Sequence, residues 1–468
     1  MDAGIPEDPE RQLSGSQRLA GFLAGLRLAD LPGEALRVLK LCVLDHYGCA
    51  FGALETEPAS ALFAYLAKVR SAGPCAVVGR AQSAAPEAAA LANGTLAHVL
   101  VFDDLHRHAK LHPGVAVIPA ALAAAELADA GGARLLEAIA AGYEATARLG
   151  MAIGMASHRH LGWRATGTCG SFGAAAAAAR ALALDARASH HALAAAAAQA
   201  SGNWAFQENG GMELYLAAGT AARNGLSAAL LAGGGFRGAS APLEAADGGF
   251  FMLASREARP QLLCEELGTR YRLQDTCIKM HPTCHSTQTA IDAVLDLRQK
   301  HGVAARDVAR IEVRAGEITR LQCGWPYAPA APARLIFHMG YALALALTRG
   351  RLLPADFAAA SQADPELTRL AGATEVISVP ELTAIYAERK PCEVTLHLRD
   401  GRSLTERVDY CRGEPENPAS QDAVVAKFNA LAAPFLPRAS LEEFAGLVLS
   451  LERQTTLRRL EQILRTAA

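Results

Sequence analysis

Between Asn93 and Pro119 the chain reads NGTLAHVLVFDDLHRHAKLHPGVAVIP, a run that sets Asp103 and Asp104 among His98, His106, His108 and His112, with Lys110 between the last two. Carboxylates beside imidazoles are the parts of acid–base chemistry, because histidine has the unperturbed pKa nearest neutral pH and an aspartate can orient it. So many polar groups are costly to bury without partners. The run therefore lines a polar cavity or forms a solvated loop after a helix, and the residues alone leave both readings open. Asp and His are also ligands for zinc or iron. No HExxH pairing or thiolate cluster accompanies them, so no metal is expected.

The elements around this run are helical. LAGFLAGLRLADLP, GEALRVLKLCVLDHYGCAFGA, PEAAALANGTLAHVLV, AVIPAALAAAELADAGG, ARLLEAIAAGYEATARLG, GSFGAAAAAARALALD and ASHHALAAAAAQASG carry small and apolar residues at helical spacing. Pro32-Gly33, Gly131-Gly132 and Gly233-Gly234-Gly235 are credible stops between them. The glycines of TGTCGSFGAAAAAA lack a P-loop lysine and read as sites of close helix packing. After about residue 268 the pattern changes. Ser286 to His301 is an amphipathic helix, ARIEVRAGE alternates like a strand, and Arg334 to Arg349 is again helical. PCEVTLHLRD and SLTERVDY flank Asp400-Gly401-Arg402 and predict a hairpin. Ala423 to Leu436 and Leu441 to Ala467 return to helix. The fold class is mostly α with a smaller α+β domain: a large all-helical domain (10–268), an inserted α+β domain (269–410), and a C-terminal helical return (411–468) packing on the first.

At 468 residues, two domains are the default expectation. A formal net charge of -2 from 45 basic and 47 acidic residues leaves no electrostatic footprint for a nucleic acid or an anionic membrane. A small-molecule enzyme fits better. The 10 cysteines are scattered without a CxxC pair, which reads as a reduced, cytoplasmic setting. The polar, acidic start, MDAGIPEDPERQLSGSQ, is unlike a signal peptide, and the apolar runs are too interrupted to span a bilayer.

NGTLAHVLVFDDLH…HPGVAVIPAALA, GYEATARLG, TGTCGSFGAAAAAARALALD, the helix leading to Gly225, KMHPTCHSTQTAIDAV and KPCEVTLHLRDGRSLTERVDYCRGEPENP, in this order from Gln17 to Leu436, resemble the MmgE/PrpD family. Its members include 2-methylcitrate dehydratases, cis-aconitate decarboxylases and iminodisuccinate epimerases. The resemblance implies a homodimer with a cleft between an all-helical and an α+β domain, no cofactor, and a small carboxylate substrate. The shared step is proton transfer at a carbon next to a carboxylate. The resemblance casts Lys279, His112, Tyr143 and Asp103 as catalytic and Asp104 and Arg148 as substrate-binding; Arg164 and His106 are counted with the substrate-binding groups on their own side-chain chemistry. Tyr143 and Arg148, five residues apart on one helix, are offset by about 140° and cannot both point straight into one pocket.

The departures from the family pattern share a direction. The first acidic residue of DFDDT is Val101 and its threonine is Leu105; Arg164 stands where decarboxylases carry a histidine; and Glu213, Leu214 and Ala217 occupy a segment that elsewhere holds a lysine. These losses argue against cis-aconitate decarboxylation. A dehydratase-type lyase is the leading expectation, an epimerase or racemase of the iminodisuccinate type the alternative, and a non-catalytic member of the fold a third reading. In this reading Arg164 grips a substrate carboxylate with its planar fork.

Overall fold

The computed structural model describes residues 13–466, Ala387 excepted; residues 10–12 of the expected helical domain and Ala467 and Ala468 of the expected C-terminal return lie outside the described part. The large body is built from long helices, among them Gly33–Gly52, Pro86–Val99, Gly114–Leu127, Gly132–Ala152, Ala165–Ala181 and Glu213–Gly233. Alanine and glycine let these axes come unusually close. A methyl group at Gly173 would lie 1.7 Å from Thr146 Oγ1, and one at Gly225 would meet Ser171 O at 2.5 Å. Gly173 of TGTCGSFG is thus demanded by helix Gly132–Ala152, Gly225 by the close approach of Glu213–Gly233 to Ala165–Ala181, and the latter becomes the nearly solvent-free centre of the body.

The smaller body is a four-stranded sheet covered by helices. Its strands are β5 (Val308–Ala315), β6 (Thr374–Ser378), β7 (Cys392–Leu398) and β8 (Ser403–Val408). Their order is β6-β5-β7-β8, with β5 and β6 parallel and the other pairs antiparallel. Alternation along β7 buries Cys392, Val394, Leu396 and Leu398. The helix His285–His301 packs on this sheet and against Met339–Arg349. The β7–β8 hairpin turns at Asp400-Gly401, with Gly401 at φ +89°, as its sequence predicts.

Three sequence expectations need correction. The large body is not purely helical: β1 (Cys75–Val77) pairs with β2 (Arg80–Ala84), and β3 (Leu105–His106) pairs with β4 (Thr276–Cys277). The helix expected over Arg334–Arg349 is two pieces, because His338 leaves the helical region and its ring accepts the Tyr341 amide as an N-cap. The final helix is broken as well, into Arg438–Leu449, a short turn and Arg458–Leu464. Earlier in this return, Gln421–Ala432 lies so tightly on Gly33–Gly52 that a methyl at Gly48 would sit 3.1 Å from Phe428 Cα. Among the described residues no helix is long and apolar enough to cross a membrane.

The β3–β4 pair positions the site. It has only two residues per strand, yet Leu105 stands opposite Cys277 and His106 opposite Thr276. That register draws the segment carrying Lys279 alongside the loop carrying Asp103.

Candidate active site

Helix Pro86–Val99 ends at Leu100, and the chain turns sharply at Val101, which holds φ +49°. A β-branched residue in the left-handed region carries strain of about 1–3 kcal/mol, so its surroundings must impose it. They do: the turned carbonyl of Val101 accepts a hydrogen bond from the Lys279 amine. Immediately after it come Phe102 and the aspartate pair.

Asp103 is the hub. Its carboxylate receives His98 Nδ1 at 3.0 Å, and His112 Nδ1 lies 2.7 Å from its other oxygen. On the far side of His98, Arg164 Nη2 meets Nε2 at 2.5 Å, so guanidinium, imidazole and carboxylate form one chain. Arg164 also donates to the Leu214 carbonyl at 2.8 Å and lies over the Phe206 ring. Because Arg164 can only donate, His98 Nε2 accepts and its Nδ1–H points at Asp103. Burial pushes the Asp103 carboxyl up, but the His98 and His112 contacts outweigh it and hold the group well below the usual carboxylate range. Burial drives His112 down to about 3 despite Asp103, with nearby Lys279 adding to the fall. The result is a neutral imidazole whose Nδ1 faces the Asp103 carboxylate. Its side chain is 12% exposed, whereas those of His98 and Asp103 are 0% and 1%; His112 is the member of this trio that meets the outside.

Lys279 is fully buried. Burial lowers its pKa, Asp103 opposes that, and the neighbouring Lys427 ammonium reinforces it. Lys427, from helix Gln421–Ala432, donates to the carbonyls of Phe102 at 2.7 Å and Lys279 at 2.8 Å, sits 2.5 Å from Asp45 Oδ1, and lies 3.5 Å from the centre of the Phe102 ring. Asp45 lies on helix Gly33–Gly52.

The remaining expected site residues are committed elsewhere. Asp104 accepts from the Tyr143 hydroxyl at 2.7 Å and from the Gly114 amide at 3.1 Å, behind the hub. Burial lifts Asp104 to about 8 and pushes Tyr143 far up, so Tyr143 serves here as a neutral donor. Arg148 meets Glu144 at 2.9 Å and the carbonyls of Glu265 and Arg270 at 2.7 and 2.9 Å, closing the 263–273 segment onto its helix. His106 donates to the Arg272 carbonyl at 2.8 Å and accepts the Ala109 amide at 3.1 Å. Burial lowers it to about 4, in keeping with a neutral ring that holds its own turn. The structure thus brings Asp103, His112, Arg164 and Lys279 together, and assigns Arg148 and His106 local partners in place of the expected substrate. Arg164 likewise grips protein: two of its donors go to His98 and Leu214. The sequence reading named His98 within the polar run but gave it no role, and did not name Lys427. His98 stands in the same polar run, at the last turn of its helix, but a lone lysine on an amphipathic helix carries no signal for Lys427.

Among the described residues two clusters have donors close enough for a metal: His98, Asp103 and His112, and Cys277, His285 and Cys411, each with ligand atoms within 4.8 Å. Charge speaks against both. Arg164 and Lys279 crowd the first, while in the second Lys390 Nζ lies 3.0 Å from His285 Nδ1 and Glu414 lies 3.3 Å from the other ring nitrogen. His285 is already bridged between a cation and an acid.

A buried aspartate that orients two imidazoles beside a lysine of lowered basicity is an arrangement suited to acid–base chemistry. Residues 17–262 match the MmgE/PrpD N-terminal domain and residues 281–453 the MmgE/PrpD C-terminal domain, and the chain belongs to this family of enzymes. It is similar to the cis-aconitate decarboxylase of Aspergillus terreus (strain NIH 2624 / FGSC A1156), 28% identical over 470 residues, covering 95% of this chain and 94% of that protein. The cis-aconitate decarboxylases of Homo sapiens and Mus musculus are also 28% identical, each over 93% of this chain and over 92% and 90% of their own lengths.

Proposed function

We propose that this enzyme is a lyase acting on a small polycarboxylic acid, in which His112 accepts a proton from a carbon next to a carboxylate. One observation carries the reading: His112 is neutral, with its Nδ1 facing an ionised Asp103, and is the partly exposed member of the trio with His98 and Asp103. Such an imidazole has an Nε2 lone pair ready at neutral pH. Lys279, beside it, is the second proton-transfer group and offsets negative charge that develops on the carboxylate-bearing fragment. Arg164 sets the tautomer of His98, and His98 in turn holds Asp103. The scheme uses the chain's own side chains and calls on no cofactor.

The relatives named cis-aconitate decarboxylases support the lyase class. The replacements at Val101, Arg164 and Leu214 change the pocket's polar groups and favour a dehydratase-type substrate over cis-aconitate. We also infer a homodimer in a reducing cytoplasm, from the family resemblance and from 10 cysteines that are all unpaired.

The test is incubation with cis-aconitate and with hydroxylated di- and tricarboxylates in deuterium oxide. Loss of water from a hydroxy acid supports the proposal, and carbon dioxide release would move the substrate to that of the relatives. Deuterium washed into an unconsumed substrate would replace the lyase by an epimerase. A Tyr–Lys pair would be the expected epimerase machinery, but the Tyr143 hydroxyl is donated to Asp104.

A further inference from the structure

Lys427 lies far along the chain from the histidine-rich loop, yet its ammonium touches both halves of the site. Two of its contacts are main-chain carbonyls: that of Phe102, the residue before Asp103, and that of Lys279 itself. Its third is the Asp45 carboxylate, and the face of the Phe102 ring lies against it. Two of its three donors thus go to carbonyls of separate segments, and Asp45 faces it as an ion pair from a third. We propose that Lys427 is a positioning residue: it ties the Asp103 loop to the Lys279 segment and, with Asp45, sets the charge around the Lys279 amine.

Three features support this role over simple packing. Carbonyl oxygens of residues 102 and 279 would be left buried without a donor if Lys427 were apolar, a costly arrangement that nature avoids unless it serves something. The Lys279 side chain already reaches back to Val101, so Lys427 closes a ring: Lys427 to Phe102, Phe102 to Val101 along the chain, Val101 to Lys279, and Lys279 back to Lys427. Finally, the ring is held by the C-terminal return. Helix Gln421–Ala432 packs on Gly33–Gly52, and these two helices supply Lys427 and Asp45 respectively.

The charged and titratable groups facing Lys279 come from several elements. His98, Asp103 and His112 belong to the loop and its flanks, Asp45 and Cys49 to helix Gly33–Gly52, Cys284 and His285 to the turn that begins His285–His301, and Lys427 to the return. Lys427 repels a proton on Lys279 and Asp45 attracts one. Removing either partner should therefore move the titration of Lys279 in opposite directions, which a purely structural Lys427 would not produce.

The inference deepens the reading of Lys279 as a proton-transfer group, but its test needs no substrate. The chain has only seven lysines, so isotopic labelling at lysine Cε gives a tractable spectrum, with the Lys279 resonance assigned by its loss in Lys279→Met. In folded Lys427→Met the Lys279 midpoint should rise by about half a pH unit or more, because a buried cation has been removed. In Asp45→Asn it should fall, and in Lys427→Arg, which keeps the charge, it should stay within about 0.3 units of the parent. An unchanged midpoint in folded Lys427→Met, or a rise in Asp45→Asn, overturns the proposal. If Lys427→Met does not fold, the direction in Asp45→Asn decides alone. Turnover by Lys279→Met, in contrast, would refute the role of Lys279 in the reaction and leave this titration to stand or fall separately.

Discussion

Two buried ion networks in the large body start from the same ingredients and end differently. Glu144 and Arg148 close on themselves: the carboxylate takes the guanidinium at 2.9 Å and the Leu273 amide at 2.9 Å, and the other guanidinium nitrogens reach main-chain carbonyls. Asp103 also gathers cations and imidazoles, but its chain runs outward to His112, whose second nitrogen is not used to hold the fold. Both networks are buried, and both match segments of the family pattern. What separates a site from a brace is whether a titratable atom remains unengaged after the surrounding groups are satisfied.

The contrast makes sharp demands. The largest effects should come from the outward-facing network: His112→Gln and Lys279→Met should lower turnover by about 10²–10⁴-fold, His112→Gln with the thermal transition little changed and Lys279→Met with about 1–3 kcal/mol lost where the Val101 carbonyl is left without a donor. Turnover near that of the parent in either variant would remove that residue from the chemistry. Arg148→Met should do the reverse. It strands a buried carboxylate, so a loss of about 3–5 kcal/mol in stability is expected, with turnover per folded molecule retained. Denaturant unfolding beside active-site titration measures both, and an inactive but stable Arg148→Met would reverse the contrast.

Arg164→Lys is intermediate. The ammonium keeps the charge but cannot reach His98 and the Leu214 carbonyl together, and loss of a charge-assisted contact should cost about 1.5–3 kcal/mol, roughly ten- to a hundred-and-fifty-fold in turnover or substrate binding. Parent-like kinetics would reduce Arg164 to a packing residue.

The smallest effect is a pH dependence. Asp104 and Glu126 are both lifted to about 8, mainly by burial. The native state keeps their protons at pH values where the unfolded chain has lost them, so the contribution of each to stability should fall as pH rises from about 6.5 to 8, by about 1–2 kcal/mol. The histidines held neutral in the native state act the other way, because in the unfolded chain they are still about half protonated at pH 6.5, so the contribution of one carboxyl is read as a difference between parent and variant. Relative to the parent, Asp104→Asn should make the slope of melting temperature against pH more positive between about 6.5 and 8; an unaltered slope would contradict the neutral carboxyl.

What could be read from the chain follows the same division. Helices announced by alanine spacing, the Asp400-Gly401 hairpin, and the polar run around Asp103 and His112 are local signals and are present in the structure. Contacts made through the main chain were invisible. Nothing in GYEATARLG says that carbonyls at 265 and 270 will fill the Arg148 fork, and strands of two residues such as β3 and β4 have no periodicity to detect. Lys427 is the extreme case, because its meaning lies in two carbonyls brought from distant segments. His338 was read as helix interior, whereas its ring caps the next helix.

The ring that joins Val101, Phe102, Lys279 and Lys427 also bears on how the enzyme acquires activity. Its hydrogen bonds link residues 178, 148 and 325 apart in sequence, whereas the helices around it are held by bonds four residues apart. Loop closure of that length comes late, after the local helices have collapsed, and chains of this size commonly pass through partly packed intermediates. Refolding should therefore recover helical circular dichroism before catalysis, with the lag set by docking of the C-terminal helices. A ribosome that has released only the first three hundred residues would hold a helical body with Asp103 and Lys279 already synthesised, and no working site until the last segment arrives.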